Sequence, residues 1–133
     1  MAGCCAPGEP ICACGKKDVL LLACSGGSNV GQIANDAAKA LDGFGHGSMY
    51  CAIGVGAQLP SFAGGVKEKP CVAIDGCPTA CVRKVMESVG AKPAVHIIVT
   101  ELGIKKHGTF DYTNDDIAKV VGAAVDALAA GQT

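Results

Sequence analysis

Asp18-Val19-Leu20-Leu21-Leu22-Ala23-Cys24-Ser25-Gly26-Gly27-Ser28-Asn29 runs apolar, ends on a thiol and breaks at once into glycines. The unbroken apolar run reads as a strand buried on both faces, as the central strands of parallel sheets are. The arrangement returns twice, in Met49-Tyr50-Cys51-Ala52-Ile53-Gly54 and in Val72-Ala73-Ile74-Asp75-Gly76-Cys77-Pro78-Thr79-Ala80-Cys81. If these runs are parallel strands, their strand-to-helix turns share one edge of the sheet, where such sheets bind ligands. Four thiols, Cys24, Cys51, Cys77 and Cys81, are then expected to meet in one crevice.

The segments between the strands carry helical spacing. Asn29 with Gln32 forms a capping box, and Val30, Ile33, Ala37 and Leu41 recur on one face before Gly43 and Gly45 close the helix. A short strand over residues 48–51 leads through the Gly54-Val55-Gly56 turn to a weak helix over 59–66, interrupted by Pro60 and Gly64-Gly65. A third strand over 71–74 precedes a helix whose first turn holds Cys77, Pro78 and Cys81, proline being tolerated where the first amide has no helical acceptor. Its apolar face is Val82, Val85, Met86 and Val89. After a fourth strand over 95–100 and a loop through Lys105, Lys106 and His107, Thr113 and Asp116 frame the last helix, with Ile117, Val120, Val121, Ala124, Val125 and Leu128 on one side. The expected fold is three-layer α/β, a mostly parallel sheet of about four strands with helices on both faces. Residues 18–133 form a single domain behind a Cys/Gly/Pro-rich arm, residues 1–17.

Composition narrows the function. A chain of 133 residues supports one domain, and with 4% aromatics and no Trp its core must be aliphatic. Eleven basic and twelve acidic residues give a net charge of −1 with no cationic run, so nucleic acid is not an expected partner. No apolar stretch approaches the roughly 20 residues a membrane helix needs, and no basic-then-apolar leader opens the chain. A cytoplasmic protein with no membrane partner is expected. Nine cysteines in such a chain point to metal binding or redox chemistry rather than to a disulfide scaffold.

Cysteines four apart on a first helical turn share a face, roughly 5 to 6 Å apart at Cβ, so Cys77 and Cys81 suit one centre. Helix N-termini and glycine-turn amides stabilise thiolates and would offset the −2 charge of four thiolates on Zn²⁺. The expected ligand is this metal ion, with a four-iron, four-sulfur (4Fe-4S) cluster as the alternative, since both accept four cysteines. A closed shell is structural or a carrier, so no enzyme activity or catalytic residue is assigned. Ser25 to Asn29 lacks the lysine of a P-loop, and its glycines are read as letting the backbone approach the metal. Cys71 opens its strand, roughly 10 Å from the crevice at 3.3 Å per residue, and is read as packing. Cys4, Cys5, Cys12 and Cys14 on the arm form a possible second site, able to hold another metal, fold back onto the first, or pair as disulfides.

The segment from Asp18 to about His107 resembles the DGC-domain family, named for a central Asp-Gly-Cys, here Asp75-Gly76-Cys77. The matching residues are Cys24 to Gln32, Cys51 to Gly54 and Ile74 to Cys81, with Leu102 to Lys106 a weaker echo. The resemblance implies four chelating cysteines, corresponding to Cys24, Cys51, Cys77 and Cys81, and zinc as the metal. It implies no particular reaction, and the arm lies outside its pattern.

The main rival reading is sulfur or thiol chemistry, in which a low-pKa Cys24 or Cys77 carries a persulfide or exchanges disulfides, with a redox or sulfur-transfer protein as partner. A lesser one takes Cys77 to Arg83 as the oxyanion cradle of a phosphatase or arsenate reductase, though Pro78 removes one amide. His46, in a glycine-rich loop before the second strand, reads as a solvated histidine, with a ligand role at the crevice as the lesser alternative. His96 reads as a hydrogen-bonded strand histidine, His107 as a surface residue on a loop able to cover the site, and Asp75 as an acceptor of turn amides or a partner behind the ligands.

Overall fold

The computed structural model describes residues 16–131, so the arm's Cys4, Cys5, Cys12 and Cys14 lie outside the described residues. Four strands, β1 (Leu20–Ala23), β2 (Ser48–Met49), β3 (Cys71–Asp75) and β4 (Val95–Ile98), form an all-parallel sheet in the order β2-β1-β3-β4. Five helices cover it: α1 (Asn29–Gly43), α2 (Ala52–Gly56), α3 (Pro60–Glu68), α4 (Cys81–Ser88) and α5 (Asn114–Gly131). The expected α/β fold is the one observed. Among the described residues no helix is long and apolar enough to cross a membrane.

Strand alternation sorts the core into two layers. Leu21, Val72 and Ile74 point to the face covered by α1 and α5, where they meet Val30, Ile33 and Val120. Leu20, Leu22 and Ala73 point to the other face, against Val55, Val66 and Met86 of α2, α3 and α4. Cys71 belongs to that second layer and is 0% exposed; burial pushes its thiol up to about 11, as suits a packing residue. Two connections leave β1 and β3 on opposite faces, α1 on one and α4 on the other. The carboxyl ends of β1 and β3 therefore flank the topological switch point.

Several local expectations change. The cap of α1 is Ser28, whose Oγ accepts from Gly31 N at 3.1 Å, and Asn29 is the first helical residue. The Gly54-Val55-Gly56 turn is helical, forming α2 behind Cys51, whose Sγ accepts from Gly54 N at 3.2 Å. The fourth strand ends at Ile98 and tightens into a 3₁₀ turn over Val99–Leu102. The last helix begins as expected, with Thr113 and Asp116 exchanging side chain-to-amide hydrogen bonds of 3.0 and 3.2 Å.

Candidate functional site: a thiol-lined switch-point crevice

Backbone packing builds the crevice. Cys24 N donates to Ile74 O at 2.9 Å, so the pairing of β1 with β3 runs one residue past the strand and fixes where Cys24 leaves it. Beyond, the β1–α1 turn, the first turn of α1 and the β3–α4 turn stack on one another. A methyl group on Gly31 would stand 2.7 Å from Gly26 O, and one on Gly76 would stand 2.9 Å from Gly31 N. Of the glycines read as access for a metal, Gly26 would place a methyl 3.4 Å from Cys24 Sγ and Gly27 would meet nothing within 4 Å, so the contact of one backbone with another falls instead on Gly31 and Gly76.

The β3–α4 turn differs from the sequence expectation in a way that matters for the thiols. Helix α4 starts at Cys81, after Ala80 in the left-handed region at φ 54° and ψ 50°. Cys77 and Pro78 precede the helix, so Cys77 and Cys81 do not share a helical face. The cause is Asp75. Alternation turns it toward α4, where Oδ1 accepts from Val82 N at 2.7 Å and Oδ2 from Arg83 N at 3.3 Å. Its carboxylate, 1% exposed, occupies the dipole end of the helix. His96 Nε2, on the adjacent strand and the same face, stands 2.7 Å from Oδ2. Val82 N, Arg83 N and the Arg83 guanidinium, which pairs with Glu87 at 3.6 Å, are thus engaged within the protein and not turned to an oxyanion cradle of the phosphatase kind.

Lys106 and Asn29 complete the site, and the spacing of the sequence signalled neither. Lys106 Nζ donates to Cys77 Sγ at 3.5 Å. Its loop is held by Asn29, 2% exposed, whose Nδ2 donates to Lys105 O at 2.8 Å and whose Oδ1 accepts from His107 N at 2.8 Å. Hydrogen bonds from Thr79 hold the Cys77 thiol below its ordinary value; burial opposes them with a lesser effect, and the ammonium of Lys106 adds the smallest contributions, both of them lowering.

The four expected thiols stand at this edge but divide between two adjoining cavities. One of about 220 Å³ is lined by Cys24, Cys77, Cys81 and Lys106. The other, about 440 Å³, is lined by Cys24, Cys51 and Cys81. Cys24 Sγ is turned to its own loop, accepting from Gly26 N at 3.3 Å, as Cys51 Sγ is to Gly54 N. Among the described residues no three His, Cys, Asp or Glu stand together as a metal-holding group. Soft sulfur donors suit zinc or an iron–sulfur cluster in kind, yet as arranged they do not close a shell. His46 precedes β2 and so sits at the opposite edge of the sheet, away from the thiols. His107 faces Asn29, and Thr109 Oγ1 lies 2.7 Å from its Nδ1.

A single parallel α/β unit with cysteines at its switch point defines the class of protein. The chain belongs to the DGC-domain family, whose model matches residues 20–124. It is similar to a Pseudomonas aeruginosa protein, anaerobic and virulence modulator AnvM, at 40% identity over 88 residues, which cover 65% of this chain and 67% of that protein. No solved structure matches it.

Proposed function

We propose that the protein works through thiolate chemistry at the switch-point crevice, with Cys77 as the reacting sulfur and Cys24 and Cys81 as its neighbours. One observation carries this reading: Cys77 Sγ receives Thr79 and Lys106 while sharing a cavity with two further thiols. A thiolate so placed takes sulfane sulfur from a persulfide. Its lone pair attacks the outer sulfur, a new S–S bond forms on Cys77, the donor's S–S bond breaks, and the donor leaves as a thiolate. A thiol or persulfide protein is then the natural partner, and the cytoplasm, which keeps thiols reduced, the natural setting.

The test is iodoacetamide labelling of reduced full-length protein at neutral pH, mapped by mass. Cys77 is expected to label first, about tenfold faster than Cys71, and Cys77→Ser to remove the fast phase. Equal labelling of all thiols would sink the reading. A second prediction separates the causes. The pH at which Cys77 labels at half its maximal rate is expected below the ordinary cysteine value, to rise in Lys106→Gln, and to rise further in Thr79→Val, because Thr79 is the larger influence. The sign follows from the charge, since each partner favours the thiolate over the thiol.

A second reading, a soft metal ion held by Cys24, Cys51, Cys77 and Cys81, is supported by the two cavities having Cys24 and Cys81 in common. Side-chain rotation of Cys51 and Cys77 toward that shared rim is what it requires. Zinc at about one equivalent, or iron and acid-labile sulfide at about four each, in protein prepared without oxygen would favour it, with labelling blocked until a chelator is added.

A further inference from the structure

The larger cavity has no part in the attack of Cys77 on a persulfide. It opens between the ends of β1 and β2 and the helices α2 and α4, and beside the thiols its walls are mostly apolar, with Met49, Ile53, Val82 and Val85 among them and Ser25 and Asn35 as polar members. Among the described residues no charged side chain lines it. Its volume of about 440 Å³ is in the range of small-molecule sites, roughly 300 to 1,000 Å³. The smaller cavity is different, with Lys106 on its wall and Cys77 against it. Cys24, Gly26 and Cys81 line both, so an apolar chamber and a cationic thiolate chamber meet at a rim of sulfur.

We infer that the larger cavity seats the apolar body of a small, uncharged aliphatic disulfide, presenting its sulfur–sulfur bond at the Cys24–Cys81 rim to the Cys77 thiolate. This rests on the proposed role of Cys77. An apolar wall without a charged partner desolvates a carboxylate or ammonium at a loss and an alkyl chain at a gain, which selects neutral substrates. In the exchange Cys77 attacks one sulfur of the disulfide, a Cys77 S–S bond forms as the substrate's breaks, and an alkylthiolate departs to be protonated by water. Cys77 is oxidised and the substrate reduced, so no other oxidant is needed.

The experiment measures adduct formation on reduced full-length protein with dimethyl, diethyl and dipropyl disulfide, and with cationic cystamine and anionic dithiodiglycolate. Each rate is divided by that for N-acetylcysteine, which cancels intrinsic reactivity. The normalised rate at Cys77 is expected to rise about fourfold per methylene of the seated arm and to be lowest for the charged reagents. Ile53→Glu sets a carboxylate at the mouth at a position already 82% exposed, where folding is not at stake. It is expected to flatten the chain-length series and leave iodoacetamide labelling unchanged. A flat series in the unaltered protein, or fastest reaction with dithiodiglycolate through Lys106, overturns the inference while leaving Cys77 as the reacting thiol. Chain-length dependence with the adduct on Cys24, Cys51 or Cys81 overturns the attack by Cys77. Failure of Cys77 to label with iodoacetamide removes the reading underneath.

Discussion

Asp75→Ala is expected to lower the unfolding free energy by about 3 kcal/mol, read as a fall in the urea midpoint without a change in slope. The carboxylate is 1% exposed and is shared by Val82 N, Arg83 N and His96 Nε2. Removing it strands two helix-terminal amides and a ring nitrogen, and also leaves the positive end of α4 without its counter-charge. Asp75→Asn keeps the oxygen that faces Val82 N but turns an amide donor toward another donor, Arg83 N, so about half of the loss is expected there. The consequence reaches the site through the turn that Asp75 terminates. With the start of α4 released, the segment from Gly76 to Ala80 loses the frame that sets Thr79 against Cys77, and the labelling half-point of Cys77 is expected to climb back toward that of an ordinary cysteine. Unchanged stability together with an unchanged labelling profile would deny Asp75 this role.

What the sequence made legible was whatever depends on short-range period. The apolar runs before Cys24 and through Val72 and Ile74 report strands buried on both faces, and the spacing of Ile33, Ala37 and Leu41 reports a helix and its buried side, so the parallel sheet and the edge on which the thiols emerge could be read directly. The arrangement of the thiols within that edge was not legible, because tertiary contacts set it. Cys77 lies outside α4 since a carboxylate at the end of β3 claims the helix's first amides, and nothing in the spacing of Cys77 and Cys81 signals that. Asn29 has the look of a cap, but Ser28 takes that role and frees the asparagine to grip a loop 76 to 78 residues further along. Lys106 becomes part of the site only through that grip. A loop histidine such as His46 carries no period at all, so which edge it occupies emerges only from the strand direction.

Gly76→Ala is expected to cost about 2 to 3 kcal/mol, with a fall in Tm on the order of 10 °C, although the glycine needs no unusual backbone angle. The added methyl would meet Gly31 N at 2.9 Å and the Val30 carbonyl carbon at 3.0 Å. Both are backbone atoms of the first turn of α1, which cannot rotate away as a side chain would. Relief therefore requires the β3–α4 turn and the start of α1 to separate, and that motion also parts Cys77 from Cys24. Gly31→Ala strains the same stack from the other side, against Gly26 O at 2.7 Å, so the two substitutions report on one contact. Combined, they are expected to cost less than the sum of the single effects, since the separation that relieves one relieves the other. A double-mutant cycle by urea unfolding checks this. Strict additivity would mean that the three turns are not one packed unit, and the crevice would then lack the rigid floor that keeps its thiols in place.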